Sequence, residues 1–171
     1  IVNQAGYAPE VVMLGKEMET VPGAALGWES SPDMTEWTFH IDPGLRWSDE
    51  TPVSAGDFVF TWQYYADPEH DYDFADYFAR LGVANWDRVN LDVLPLSDLG
   101  VEATDDHTLV FHLDHPTPHV PRFMVYGTPL ARHQALQHGV LYGNDPETAV
   151  SFTPWILTDW KPGQHSIFEP N

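Results

Sequence analysis

The 171-residue sequence predicts an α/β (mixed α+β) fold built as a small mixed sheet with hairpins and flanking helices. Three observations carry that expectation. Trp37, Phe39 and Ile41 alternate with Thr38 and His40, the period of a half-buried strand. Ala55, Phe58, Val59, Trp62 and Ala66 recur at helical spacing along one face. Behind the turn residues Asp105-Asp106, Leu109, Phe111 and Leu113 fall on one side of a strand and Val110 and His112 on the other, as in the second arm of a hairpin.

The order of the remaining elements follows from the breakers between these runs. Val11-Val12-Met13-Leu14 is an early apolar run, and Pro22-Gly23 interrupts the chain after it. Following the strand at Trp37 to Ile41, Asp42-Pro43-Gly44 supplies turn chemistry, and Leu45 to Trp47 reads as a second short strand. Pro52 keeps the approach to the next element non-helical. Ser54 is placed to cap a helix, and Asp57 three positions on approximates a capping box with its charge at the positive helix start. Asp67-Pro68 ends this helix after about three turns, because proline disfavours a helical residue before it. A second helix is expected over residues 74–81. Between residues 84 and 99, Asn85, Asp87, Asn90, Pro95 and Asp98 interrupt short apolar groups and predict an ordered loop. Residues 117–125 read as a short helix and residues 129–139 as another, ending at a glycine suited to a C-cap. Asp159 to Gln164 read as the turn of a final hairpin, and no internal repeat or low-complexity linker interrupts the chain.

The stretch from Trp37 to Pro68, WTFHIDPGLRWSDETPVSAGDFVFTWQYYADP, carries more than secondary structure. It resembles the family 5 extracellular solute-binding proteins of ABC transporters, the group that includes the oligopeptide- and dipeptide-binding proteins. The family's strand ending in "TF.L" is matched by Trp37 to Ile41, and its "WSDGTPVTA.DFV.SW" by Trp47 to Trp62. Glu50 stands where the family has glycine, so that turn either needs no positive φ or tolerates strain. Gly100 to Leu109 is similar to the family's "GV.A.DD.T" strand-turn-strand, and Pro116 and Pro118 match the prolines after it. Trp155 to Gln164 resembles the "GPYKL..W.PG" hairpin, with Phe152-Thr153-Pro154 replacing its glycine-containing entry. The resemblance covers nearly the whole chain. It implies part of a type II periplasmic-binding-protein fold. Residues 1–22 would then be a piece of the first, ligand-binding-lobe domain, residues 23–130 the second domain, and residues 131–171 the returning piece of the first. Whole proteins of this family are several times longer, so the chain is expected to be a fragment unable to bind ligand alone.

Composition agrees with a globular protein, at 43% hydrophobic and 13% aromatic, and no apolar run approaches the roughly 18 residues of a membrane span. The formal charge of −19, from 26 acidic and 7 basic residues, argues against nucleic-acid binding, which needs a basic footprint. Only Lys16 and Lys161 are lysines, and the acid excess reads as a solvated surface. The absence of cysteine permits an oxidising compartment. The resemblance implies a periplasmic or extracellular location, compatible with lipoprotein anchoring of the full-length protein. It also implies an oligopeptide or another small solute as ligand, ABC transporter permease subunits as partners and a monomeric state. Neither catalytic residues nor a cofactor are expected.

Among the aromatics Tyr72, Phe74, Tyr77 and Phe78, the resemblance singles out Phe74 as the ligand contact. In oligopeptide-binding members the segment after "ADP" carries a tyrosine that reaches the cleft, and ungapped counting from Ala66-Asp67-Pro68 puts Phe74 there. Phenylalanine keeps the apolar wall and loses the hydroxyl. The competing reading is a core residue that packs the second helix. The nine histidines give no metal-binding pattern: His112 and His115 flank a strand end, His119 lies beyond Pro116 and Pro118, and His133 and His138 are five apart. Glu69, Asp71, Asp73 and Asp76 lack the glycine of an EF-hand loop and read as a solvated helix start. A glycosidase would need a carboxylate pair that 26 acids leave arbitrary, and a carbohydrate-binding module would need exposed tryptophans such as Trp28, Trp86 or Trp160. The expected function is therefore capture of oligopeptides for an ABC importer, without chemistry. Oligosaccharides or nickel complexes are the alternatives within the family, and a carbohydrate-active enzyme or binding module the alternative outside it.

Overall fold

A computed structural model of the chain describes residues 12–17, 19–70, 72, 75–143 and 145–171. Strands β1 (Val12–Leu14) and β2 (Thr20–Pro22) form an antiparallel ribbon. Strands β3 (Ala25–Ser30), β4 (Glu36–Ile41), β5 (Val101–Asp105) and β6 (Thr108–His112) form a four-stranded sheet in the order β3-β4-β6-β5. Strands β7 (Trp155–Lys161) and β8 (His165–Pro170) make a separate hairpin. Around the central sheet lie α1 (Ala55–Ala66), α2 (Ala75–Ala79), α3 (Trp86–Asn90), α4 (Val120–Phe123) and α5 (Arg132–His138). The expected mixture of helix and strand is present, with every described strand pair antiparallel. Among the described residues no helix is long and apolar enough to cross a membrane.

The alternation read in the sequence decides which face of the sheet is covered. Trp37, Phe39 and Ile41 of β4 are buried, and register sets Phe39 opposite Leu109 and Trp37 opposite Phe111. Phe39 and Phe111 meet edge to face at 5.8 Å. Helix α1 lies over this surface with Phe58 and Trp62 fully buried, which removes its apolar stripe from water and is the main source of its stability. Its start is fixed as the sequence predicts: the Ser54 N–H donates to Asp57 Oδ2 at 2.8 Å, closing the capping box. Asp67 ends it, its N–H donating to the Gln63 carbonyl.

Several elements differ from the sequence-based expectation. Residues 45–47 form no strand but a single bridge between Arg46 and Pro52, because the chain reverses at once and the Glu50 N–H donates back to the Trp47 carbonyl. The ordered loop expected over residues 84–99 contains α3 and a 3-10 turn at Leu96–Asp98. Trp86 and Val89, three apart and both buried, supply the helix's apolar face despite the polar residues between them. The described part of the second helix is Ala75–Ala79, and that expected over residues 117–125 is confined to α4 and a following 3-10 turn at Met124–Tyr126. Pro118 and Pro121 explain the late start, since proline is tolerated only in the first helical turn. Helix α5 ends at Gly139 with φ +53°, as expected. In the last hairpin, Asp159, Trp160 and Lys161 belong to β7, and the turn is only residues 162–164. Val11 lies outside the described residues, the rest of its apolar run being β1.

Glu50 adopts φ +68°, so the turn does require the left-handed conformation and the side chain is strained in it. Glu50→Gly is therefore expected to stabilise the chain by up to about 1 kcal/mol, read by chemical denaturation; an unchanged or lower stability would show that Glu50 makes a compensating contact. Gly100, by contrast, is required sterically, because a Cβ there would sit 2.7 Å from the His112 carbonyl oxygen and from the Ala84 Cβ.

Candidate functional site

The aromatic segment that follows α1 is built on the end of that helix. Trp62 and Tyr65 face the core, and Phe78 of α2 packs parallel to Tyr65 at 4.8 Å and edge-on to Trp62 at 4.9 Å. Tyr72 stacks on Tyr65 at 4.4 Å. The Tyr65 hydroxyl donates to the Thr128 carbonyl at 2.9 Å, and burial, with the neighbouring Tyr72 next, pushes it well above the ordinary tyrosine range. The partly buried Tyr77 meets Phe123 of α4 at 4.9 Å, and Phe123 meets His119 at 5.4 Å. Phe78 is therefore a core residue that anchors the short second helix. Phe74 lies outside the described residues, as do Asp71 and Asp73.

A second structural focus is the crossover at residues 130–132. Three consecutive backbone N–H groups are each captured by a side chain. Leu130 donates to Thr61 Oγ1 at 2.8 Å, Ala131 to the Tyr142 hydroxyl at 3.0 Å, and Arg132 to Asp57 Oδ1 at 3.1 Å. Thr61 in turn donates to the Asp57 carbonyl at 2.7 Å. Burial raises the Tyr142 hydroxyl, the bond from Ala131 opposes that rise, and the Asp57 and Asp49 carboxylates add to it. The sequence revealed the capping role of Asp57. Its second role was hidden, because Arg132 is 75 positions away and only the fold brings the two together.

The Trp47–Thr51 loop is clamped against the same returning segment. Trp47 is buried edge-on to Phe152 at 5.0 Å, and the Ser48 N–H donates to the Ser151 carbonyl at 2.6 Å. Asp49 Oδ2 accepts from His133 Nε2 at 2.6 Å and from Gln134 Nε2 at 3.2 Å, while Oδ1 accepts from the Thr51 N–H at 3.1 Å. Burial alone would raise the Asp49 carboxyl, but these hydrogen bonds outweigh it and bring it down to about 2. A depressed carboxyl contributes stability above its unfolded value of 3.8 and loses it as pH falls towards about 2. Asp49→Asn should thus lower stability modestly at pH 7 and flatten the acid limb of the unfolding profile in that window. An acid limb unchanged by the substitution would contradict the pairing.

The histidines that drew attention in the sequence are dispersed. His112 pairs with Glu36 and Glu102 on the sheet, His115 bonds Thr117 Oγ1 at 3.0 Å, His119 faces Phe123, and His133 holds Asp49. Among the described residues no group of three or more His, Asp or Glu side chains is arranged to hold a metal ion. The tryptophans considered for sugar stacking form no exposed line: Trp86 is buried, and Trp28 is half-buried against Phe39 at 6.3 Å.

Comparison with known proteins agrees with this architecture. The profile of the bacterial extracellular solute-binding proteins, family 5 Middle, matches residues 19–171. The periplasmic oligopeptide-binding protein OppA of Salmonella typhimurium is 34% identical over 152 residues, covering 88% of this chain and 28% of that protein. The substrate-binding domain of an oligopeptide ABC transporter from Bacillus anthracis superposes with a TM-score of 0.90 at 32% identity, covering 97% of this chain and 32% of the other. Haemophilus influenzae OppA in complex with the peptide RPPGFSPFR gives a TM-score of 0.90 at 31% identity, covering 95% and 32%. The chain thus spans less than a third of the length of the relatives it matches.

Proposed function

Because this chain belongs to the bacterial extracellular solute-binding proteins, family 5, we propose that it is a portion of an ABC-importer binding protein that captures oligopeptides. The observation that carries this reading is the superposition, over 95% of the chain, on an OppA that holds a peptide. In this account the protein closes two lobes around its ligand and presents it to permease subunits, and the difference in affinity between open and closed states drives the change. No bond is made or broken, so no catalytic residue or cofactor is needed. The protein works outside the cytoplasmic membrane as a monomer, free in the periplasm or tethered as a lipoprotein.

Residues 1–22 and 131–171 belong, in this reading, to the ligand-binding lobe, and residues 23–130 to the second domain. Two features support that division. The four-stranded sheet and α1 lie wholly within the middle segment, and β1-β2 and β7-β8 are two-stranded ribbons, an arrangement of marginal independent stability. The side-chain anchors on residues 130–132, next to the proposed boundary, are consistent with it. Phe74 supplies an apolar wall to the cleft, a role supported by its place between Tyr72 and α2 in the sequence.

A ligand screen by thermal shift on the complete protein that carries this chain tests the reading, with mixed oligopeptides, oligosaccharides and nickel complexes. A shift with peptides alone, weakened about tenfold in affinity by Phe74→Ala, is expected. A shift with sugars or nickel alone would overturn the ligand class, and an unchanged affinity in the variant would remove Phe74 from the cleft.

A further inference from the structure

The aromatic network of the core continues outward beyond Phe78. Tyr77 meets Phe78 edge to face at 5.5 Å and Phe123 at 4.9 Å with the ring planes 32° apart. Phe123 in turn meets His119 at 5.4 Å with the planes 40° apart. Exposure rises along this row: Phe78 is fully buried, Tyr77 and Phe123 are half-buried, and His119 is exposed. Tyr77 stands on α2, and Phe123 and His119 stand on and immediately before α4, so the row exists only where the fold brings these two short helices together. Joining α2 to α4 needs only Tyr77 and Phe123, and Phe78 already anchors α2 in the core. The exposed His119 extends the row into solvent. In the sequence, Tyr77 follows the candidate ligand contact Phe74 by three positions, the interval at which residues of one helix face recur.

We propose that Tyr77, Phe123 and His119 form a subsite that takes an aromatic side chain of the captured peptide. The proposal rests on the reading of this chain as part of a peptide-binding protein and adds which side chains that protein favours. Rings held against one another lose little freedom when a ligand arrives, so their area is available at low entropic cost. A phenylalanine or tyrosine side chain of the ligand joins the row as its members join one another, edge-on or offset, with centroids roughly 4.5–7 Å apart. An alanine side chain at the same place offers no ring to pack. Contacts to the peptide backbone are common to all peptides and give affinity, whereas a wall of this kind separates peptides by side chain.

The test is titration calorimetry of the complete protein that carries this chain, with trialanine and pentaalanine and with the same peptides carrying one phenylalanine at each position in turn. The best phenylalanine peptide is expected to bind about tenfold tighter than its all-alanine counterpart. Phe123→Leu keeps an apolar side chain between the helices and removes the ring, and should bring that ratio down to about twofold. An unchanged ratio would overturn the subsite. So would an equal loss of affinity for every peptide, which is what a purely structural role of Phe123 produces. Should Phe123→Leu fail to fold, His119→Ala removes an exposed ring and is expected to lower the ratio about threefold, and no change in it would again overturn the proposal. Binding of none of these peptides by the unaltered protein would overturn the peptide reading and the subsite together, whereas the other failures leave that reading standing.

Discussion

Trp62→Ala is expected to cost about 3–5 kcal/mol, measured by chemical denaturation at neutral pH. The indole is 1% exposed and is the point where helix, sheet and flanking helices meet. It makes edge contacts with Phe78 of α2 at 4.9 Å, Phe111 of β6 at 5.0 Å, Trp86 of α3 at 6.0 Å and Tyr65 of its own helix at 6.3 Å. Truncation removes the transfer energy of the ring and leaves a cavity walled by four other aromatic groups that cannot collapse together. Since a domain of this kind has only about 5–15 kcal/mol in total, the variant should be partly unfolded at physiological temperature. Trp62→Phe, which keeps an aromatic edge in the same place, should recover more than half of the loss. A cost below about 1 kcal/mol for the alanine variant would mean that the aromatic junction is not a single packed body.

Asp57→Ala is expected to cost about 2–4 kcal/mol, more than a helix cap alone accounts for. An ordinary cap substitution costs about 1 kcal/mol, because only the helix end is affected. Here one carboxylate accepts from the Ser54 N–H at the start of α1 and from the Arg132 N–H at the start of α5, and the residue is 5% exposed. Its removal leaves two donors with no acceptor, one at the start of α1 and one at the start of α5. Hydrogen exchange separates the two contributions. Amides at 130–132 should lose protection together in Asp57→Ala, whereas a purely local cap would expose only the first turn of α1. Loss confined to α1 would contradict the role of Asp57 at the crossover.

The parts of this fold that were legible in the sequence are those where local pattern and burial agree. The alternation at Trp37 to Ile41, the capped run from Ser54 to Asp67 and the hairpin ending at Leu113 each place their apolar residues on the face that the sheet and α1 cover. What escaped the sequence depends on partners distant along the chain. Trp86 and Val89 are too few to announce α3 until the core they fill is present. The extended bias at Leu45 to Trp47 is overruled by the reversal that returns Glu50 to Trp47. Of the candidate site, the family resemblance pointed to the aromatic segment; Phe74 lies outside the described residues, and of its sequence neighbours Tyr72 stacks on Tyr65, Phe78 packs on Trp62 and Tyr77 meets Phe123. The side-chain capture of residues 130–132 and the hold of Asp49 on His133 carry no local signal, since each joins residues at least 69 positions apart except for the contact of Tyr142 with Ala131.

The central claim is that this chain is part of a protein whose function is reversible capture of oligopeptides between two lobes. Titration calorimetry of the complete protein with an oligopeptide mixture, set beside the same titration of the isolated 171 residues, tests it most directly. The account predicts saturable binding at micromolar or tighter affinity by the complete protein and no heat of binding from the isolated chain, because the ligand is held by both lobes. Saturable peptide binding by the isolated chain would contradict the division of the site between lobes, and the absence of peptide binding by the complete protein would contradict the claim itself.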